Sequence, residues 1–447
     1  MEAFAPVLFL SFVAGCRPAF SKSTWPYFQA YLWAFLLAKG RKCVTRLHAV
    51  CFFLDRSLSS FERFLETYQW DLLGAVQGVA GQLVQRLGSA LQIEGGFLMA
   101  LDGVLVAKEG KAMPGVQGWH DSSENADRGA TVRGHHWMLG ALLSRFGERF
   151  LAWPLVARLV SGQKNPCTWI GTAEGELRPA TIWDAAFAVV FSMAVVLGGM
   201  PLESGLVLRV VADAFFSKAP FINGLVARGI HLISRLRHDA VGWDAEPPPY
   251  CGKGRRPQKG RKWKLRDLLK VGPVEELPVR LYGRLVTVRC VVRDVWLHEV
   301  TQKVRVVVVE GVQRPVLLMG TDLRLSARAI IEIYGARFAI EGVIRDLKQY
   351  FGLGDYQAWS SQAILRFVHL CCLSCCVWRW MMLPEQAPAW LPPEVAAAQD
   401  VTPLSFTRAQ RGLRRFVLER LLFRDSASPA ESEKSEPDWE TIFRIAA

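Results

Sequence analysis

The sequence predicts a mixed α/β fold in which helices flank one sheet, with a helical region before the sheet and an antiparallel β unit inserted into it. Three observations predict this arrangement. Residues 1–92 carry apolar side chains at helical spacing. Buried strand-like runs then alternate with helices up to about residue 246, and valine-rich strands with short turns occupy residues 277–319 before helical spacing resumes.

These changes of pattern divide the chain into five parts. They are a helical N-terminal domain (1–92), the first part of the α/β domain (93–246), a basic loop with the β-rich insertion (247–320), the second part of the α/β domain (321–385), and a C-terminal helical region with an acidic tail (386–447).

The N-terminal region is predicted to be helical throughout. Its longest periodic run is FERFLETYQWDLLGAVQGVAGQLVQRLGSALQ, and Ser59 stands three residues before Glu62, the spacing of a capping box, so we expect a long helix to start there. The earlier run PVLFLSFVAGC resembles a signal-peptide core, but no basic residue precedes it. An amphipathic helix is the favoured interpretation of that run.

The α/β part is predicted from the order of three strands, a helix, a strand, a helix and a strand. GGFLMALDGVLVAK leads an unbroken apolar run into Asp102, and after two more strands and an apolar helix at 182–198, LVLRVVADAFF leads into Asp213. Apolar runs without alternation are typical of strands covered on both faces. We therefore expect each aspartate to end a buried strand.

Charge and cysteine content limit the class of protein. Lys and Arg exceed Asp and Glu by 54 − 41 = 13, and the pI is near 9.4, as expected for a protein that binds a polyanion. Ten cysteines without a disulfide framework indicate a reduced, intracellular chain. CCLSCC at 371–376 lies in an apolar helical run, so core thiols are favoured over a metal site.

A basic helical membrane protein is an alternative from another class. The mean hydropathy is +0.16, and apolar runs occur at 7–15 and 182–198. The second run approaches the length of a membrane span, but Asp184 interrupts it and glycines end it. We favour a buried core helix there, and no membrane partner.

The stretch YGARFAIEGVIRDLKQYFGL, which starts at Tyr334, places four polar groups on one side of a predicted helix. Tyr334, Arg337, Glu341 and Lys348 span roughly 60° at about 100° per residue. A solvated salt-bridge face would explain these four residues equally well.

The two aspartates Asp102 and Asp213 favour a catalytic role for these four residues, which we call the stripe. A carboxylate at the end of a buried strand is costly unless a cation compensates it. With Glu341 they form three hard oxygen donors suited to Mg²⁺ in the two-ion arrangement used for phosphodiester displacement. Arg337 and Lys348 would then hold DNA phosphates, and Tyr334 would add a hydroxyl or stacking contact.

A second DNA contact is predicted in the basic segment 253–270. It holds nine Lys or Arg against one acid and includes Trp263, which favours phosphate binding over a merely solvated loop. The residues that we assign to DNA there are Lys253, Arg255, Arg256, Lys259, Arg261, Lys262 and Lys264.

The order LDG, then VVAD, then Y-x2-R-x3-E-x6-K resembles the DDE transposases of bacterial insertion sequences, specifically the group with the Y-R-E-K signature, over about residues 97–356. The resemblance implies a ribonuclease-H-like catalytic domain interrupted by a β-rich insertion. It implies that Asp102, Asp213 and Glu341 are catalytic and bind two Mg²⁺ ions, with Mn²⁺ as the alternative ion.

The same resemblance implies a transposase that binds the terminal inverted repeats of its element, cuts there, and transfers the 3′ ends to target DNA. A homodimer in the synaptic complex and a cytoplasmic, nucleoid-associated location follow from it. The family often has a tryptophan soon after the second carboxylate that stabilises a flipped base, whereas Phe215 and Phe216 stand there in this chain. A ribonuclease-H-like nuclease without strand transfer is the alternative, because the fold alone does not decide between them.

Overall fold

The computed structural model describes residues 5–110, 112–120, 131–160, 181–200, 206–245, 252–254, 260–311, 313–387, 390–391 and 405–422. In these residues it has the mixed α/β fold with a helical N-terminal region that the sequence predicts. The N-terminal helices are α1 Val7–Val13, α2 Trp25–Leu37, α3 Val44–Ala49, α4 Leu58–Glu66 and α5 Leu72–Leu87.

The predicted start of a long helix at Ser59 is wrong. The cap is Ser57, which has an extended backbone and whose side chain accepts a hydrogen bond from the Ser60 amide. Helix α4 therefore begins at Leu58. The periodic run then breaks after Glu66. The guanidinium of Arg366, which is buried, donates to the carbonyl oxygens of Phe64, Leu65 and Tyr68, and so pairs the carbonyls that the end of α4 leaves open.

One sheet contains all the strands of the described residues. They are β1 Gln92–Ile93, β2 Gly96–Ala107, β3 Gln117–His120, β4 Thr131–Phe146, β5 Arg149–Val160, β6 Val207–Ala212, β7 His231–Arg235, β8 Val241–Trp243, β9 Lys262–Lys264, β10 Glu275–Leu281, β11 Arg284–Trp296, β12 Lys303–Val309 and β13 Val316–Gly320. The remaining helices are α6 Ile182–Gly198, α7 Ala219–Val226, α8 Leu268–Val271, α9 Ala327–Ala336, α10 Phe338–Gln349, α11 Ser361–Met381 and α12 Phe406–Leu422.

The α/β part has the predicted order of elements along the chain: strands β2, β4 and β5, then α6, β6, α7 and β7, with the short strand β3 in addition. β4 pairs antiparallel with both β2 and β5, while β6 lies parallel to β2 and β7 lies parallel to β6. This mixed arrangement, with α6 and α7 as the crossover helices, is consistent with a ribonuclease-H-like fold.

The antiparallel insertion continues the same sheet. β13 pairs with β7, and β12, β11 and β10 follow it as antiparallel neighbours. The valine-rich strand β12 is mostly buried, which is typical of a strand covered on both faces. The insertion is therefore hydrogen-bonded to the strand next to β6.

Helix α11 packs against α2 and α4 on one side and against β5 on the other. Among the described residues it is the one helix long and apolar enough to cross a membrane, yet 89% of its apolar window is buried inside the protein. The apolar helices near the N-terminus and at α6 are shorter. The four cysteines of CCLSCC are buried in α11, as predicted, and burial raises the pKa of each thiol.

Candidate active site

Asp102 and Asp213 lie side by side on neighbouring strands. The parallel pairing of β2 with β6 ends at Ala100 opposite Val211, and each aspartate lies two residues beyond its member of that pair. Because side chains alternate along a strand, both carboxylates leave the sheet on the same face.

Asp213 directly follows β6, as predicted, whereas Asp102 lies in the middle of β2. β2 continues to Ala107 because its antiparallel pairing with β4 extends beyond the end of β6. The Asp102 carboxylate accepts a hydrogen bond from the Gly103 amide at 2.8 Å. The Asp213 carboxylate accepts one from the Phe215 amide at 3.0 Å.

The signature stretch forms two helices and not the single helix that the spacing predicts. α9 ends at Ala336, α10 begins at Phe338, and the tighter amide-to-carbonyl bond from Arg337 to Tyr334 marks the junction. A side chain at Gly335 would come within 2.7 Å of the Leu281 side chain from β10, so the insertion packs closely against the end of α9. Arg337 nevertheless keeps helical backbone angles, so the four residues of the stripe still lie on one side.

Arg337 brings the carboxylates together. One of its terminal nitrogens donates to the Glu341 carboxylate at 2.8 Å, and the other lies 3.6 Å from the Asp102 carboxylate. The residue is 8% exposed, and its guanidinium lies 4.6 Å from the ring centre of Phe338. Arg337 is therefore not part of a solvated salt-bridge face.

Burial and neighbouring charges shift the pKa values of Asp102 and Asp213. Burial raises the pKa of Asp102 to about 6; Arg337 opposes this shift, while the charges of Asp213 and Glu341 add to it. Burial also raises the pKa of Asp213, against the effects of the Phe215 amide and Arg337. Such an excess of buried negative charge favours a cation.

The donor set fits a divalent metal ion in kind. Asp102, Asp213 and Glu341 offer carboxylate oxygens, which are the ligands that Mg²⁺ and Mn²⁺ take in proteins. Within the described residues no three acidic, histidine or cysteine side chains are gathered closely enough to hold an ion. Glu341 is paired with Arg337. The Glu341 side chain is 48% exposed and belongs to the first turn of α10, so a change of rotamer can redirect it.

The other two residues of the stripe lie further from the carboxylates. The Tyr334 ring centre is 6.0 Å from the Arg337 guanidinium, and burial raises the pKa of its hydroxyl. Lys348 is exposed in the last turn of α10, about 10 Å along the helix axis from Glu341. The structure therefore places Tyr334 beside the cluster and Lys348 on the adjoining surface.

The basic segment lies far from the carboxylates. Lys253, Arg261, Lys262 and Lys264 are exposed, whereas Arg255, Arg256 and Lys259 lie outside the described residues. Five strands separate β9 from β6, which corresponds to about 30 Å across the sheet.

Trp263 is not available for stacking on a base. Its ring lies between the guanidinium groups of Arg261 at 4.1 Å and Arg293 at 4.0 Å, and its indole nitrogen donates to the Asp244 carboxylate. The segment therefore presents cations and not the aromatic ring.

The sequence analysis missed two aromatic residues beside the cluster, Tyr282 and Trp183. Tyr282, at the turn between β10 and β11, is 72% exposed and makes an edge contact with Phe338. Its φ of +53° precedes Gly283 at +76°, so the Tyr-Gly pair between two strand runs was a usable turn signal. On the other side, Phe215 stacks on Trp183 at 4.7 Å.

The sequence profile of a family described as DDE superfamily endonuclease matches residues 17–289, which is more than half of the chain. The match includes Asp102 and Asp213 and ends before Glu341. No curated protein matches the chain.

Proposed function

The chain belongs to the family of DDE superfamily endonucleases, and we propose that it is a DNA transposase. Enzymes of this family cleave nucleic acid and generally use divalent metal ions. The proposal is that this one binds the ends of its own insertion sequence, hydrolyses phosphodiester bonds there with Mg²⁺, and joins the freed 3′-hydroxyls to target DNA. The observation that carries it is the contact of one guanidinium, that of Arg337, with both Asp102 and Glu341, beside Asp213, whose charge acts on Asp102.

Each residue has a distinct part in this proposal. Asp102, Asp213 and Glu341 would hold the divalent ions, which supply Lewis-acid chemistry by lowering the pKa of the attacking oxygen and offsetting charge on the phosphate. Arg337, on leaving Glu341, binds the scissile phosphate through its forked donors, and Lys348 binds a neighbouring phosphate from the end of α10. Tyr334 limits where the Arg337 side chain can move.

The bond changes balance without a covalent protein intermediate. A water oxygen attacks the phosphorus, the bond to the 3′ oxygen breaks, and the products are a 3′-hydroxyl and a 5′-phosphate. In the second step that 3′-hydroxyl attacks a target phosphodiester, whose own 3′ oxygen leaves. The protein holds the attacking oxygen in line with the bond that breaks. The rate enhancement comes from this orientation and from stabilisation of the charge on the phosphate.

Glu341→Gln tests the metal role of the cluster. The amide keeps the size of the side chain but removes its charge, so we expect Mg²⁺-dependent cleavage to be lost while DNA binding stays close to that of the wild type. Retained cleavage would contradict the assignment of Glu341. Glu419→Gln is the matched control, because Glu419 is exposed and paired with Arg415 on α12.

Strand transfer distinguishes the transposase from a nuclease of the same fold. The assay supplies precut element ends with free 3′-hydroxyls and a supercoiled target, and joined products support the proposal. Cleavage without joining under the same conditions would favour the nuclease. We further propose that a homodimer holds the two ends, which size measurement on the DNA-bound protein would test. The proposed place of action is the nucleoid.

A further inference from the structure

A second basic surface lies where the end of α2 meets α12, outside the active site and outside the basic segment 253–270. We call it the α2–α12 patch. Its cations are Lys39, Arg41, Arg46, Arg408, Arg411 and Arg414. α12 also lies beyond the residues matched by the family profile.

Packing of α12 against α2 brings these cations together. The Gln410 side-chain amide donates to the carbonyl oxygens of Leu36 at 2.9 Å and Ala38 at 3.1 Å, which fixes α12 beside the last turn of α2. Arg411 directly follows Gln410, and Lys39 directly follows Ala38. The patch is therefore built by tertiary contacts between two distant parts of the chain.

Arg46 joins the patch from α3. Gly40 has a φ of +63°, and a Cβ there would lie 3.1 Å from a terminal nitrogen of Arg46. The guanidinium thus lies against the turn that carries Lys39 and Arg41. A glycine suits this position because the left-handed conformation is costly for other residues.

Positive charge predominates in the patch. The charge of Arg414, together with burial and the charge of Arg411, lowers the pKa of Lys39. No ion pair with a described carboxylate involves Arg41, Arg411 or Arg414. Arg414 is 5% exposed, and its Nε has no hydrogen-bond partner.

The patch adjoins the end of the active-site helix. The Lys42 amide donates to the Asp355 carboxylate at 2.7 Å, and a Cβ at Gly352 would touch the Lys42 side chain. Gly352 lies three residues beyond α10, the helix that carries Glu341 and Lys348. A duplex that leaves the carboxylates past Lys348 would therefore reach these cations next.

We propose that the α2–α12 patch binds the phosphate backbone of DNA next to the cleavage site, independently of base sequence. The inference rests on the proposed function for the position of the DNA. Closely spaced cations, three of which make no ion pair with a described carboxylate, match a phosphate backbone, whose charges are dense and regular. The rival occupant is the acidic stretch 425–440 of the same chain, which holds six Asp or Glu and one Lys.

The test is the salt dependence of binding by the full chain to a duplex of mixed sequence of about 30 base pairs. Each phosphate contact contributes about 0.9 to the slope of log affinity against log salt, so Arg46→Ala with Arg411→Ala should lower that slope by about 2. Each lost contact then weakens binding about eightfold at 0.1 M salt.

Arg420→Ala is the matched control. It removes an exposed arginine from the same helix, about 180° around the axis from Arg411, and should leave the slope unchanged. An unchanged slope in the double variant would overturn the proposal. So would unchanged or tighter DNA binding, which is expected if the patch holds the acidic stretch 425–440.

The two proposals fail in different ways. If the wild type binds duplex DNA with a slope that depends on Arg46 and Arg411 but never cleaves it, the patch stands and the transposase proposal fails. If the wild type cleaves and joins DNA while the double variant keeps the wild-type slope, the patch proposal alone fails. Glu341→Gln should keep the wild-type slope in either case.

Discussion

Replacing Arg337 with methionine would remove the guanidinium that contacts both Glu341 and Asp102, while keeping a side chain of similar length. At 3.6 Å and an effective dielectric constant near 20, the attraction to Asp102 amounts to about 4 to 5 kcal/mol before desolvation of the ions is subtracted. Removing one partner of a buried pair typically costs about 3 to 5 kcal/mol. We expect a loss of about 3 kcal/mol in the free energy of unfolding without metal.

The same variant should bind divalent ions more tightly. In the wild type a metal ion must first separate Glu341 from Arg337, and a hydrogen bond to a charged group contributes about 1.5 to 3 kcal/mol. Without that bond, the affinity for Mn²⁺ should rise about tenfold or more. Calorimetric titration with Mn²⁺ at pH 8, without DNA, measures this change directly.

Arg379→Met supplies the control for this experiment. Arg379 pairs with Asp346 at 2.5 Å and is largely buried, but it touches none of the three carboxylates. It should lose stability and keep the wild-type affinity for Mn²⁺. If Arg337→Met binds Mn²⁺ no better than the wild type, Arg337 does not compete with the metal and the reasoning is refuted.

Two further variants test the fold around the site. Burial lowers the pKa of His369 to about 3, so the unfolded chain takes up its proton first, and the stability present above pH 6.5 falls below that pH. His369→Gln should therefore lower the slope of the free energy of unfolding against pH by about 1.4 kcal/mol per pH unit, measured by urea unfolding between pH 6 and 4. Tyr282→Asn should raise the free energy of unfolding by about 0.5 to 1 kcal/mol, because asparagine tolerates the left-handed backbone at φ +53°; a loss of stability in the same denaturation assay would show that the edge contact with Phe338 outweighs the strain.

The central sheet and two of the three carboxylates could be predicted from sequence because local patterns determine them. The apolar runs that lead into Asp102 and Asp213 predict two buried strands. The parallel pairing of β2 with β6 then brings equivalent positions of these strands together. The spacing of Arg337 and Glu341 gave their contact, because residues four apart on a helix are neighbours.

Features that depend on distant contacts were not predictable in this way. The break at Arg337 reflects the approach of Leu281 from the insertion, which helical spacing does not encode. The long extension of β2 beyond Asp102 depends on pairing with β4. The distance of the basic segment from the carboxylates depends on strand order, and the grouping of Lys39 with Arg411 depends on how α12 packs.

The packing of α11 between the N-terminal helices and β5 joins these two parts through one hydrophobic core. Arg366 strengthens the connection by bonding to the backbone that follows α4. If the proposed function holds, a duplex bound at the α2–α12 patch would therefore lie at a fixed distance from Asp102 and Asp213. The tertiary structure would then set the position of a cut relative to the bound segment.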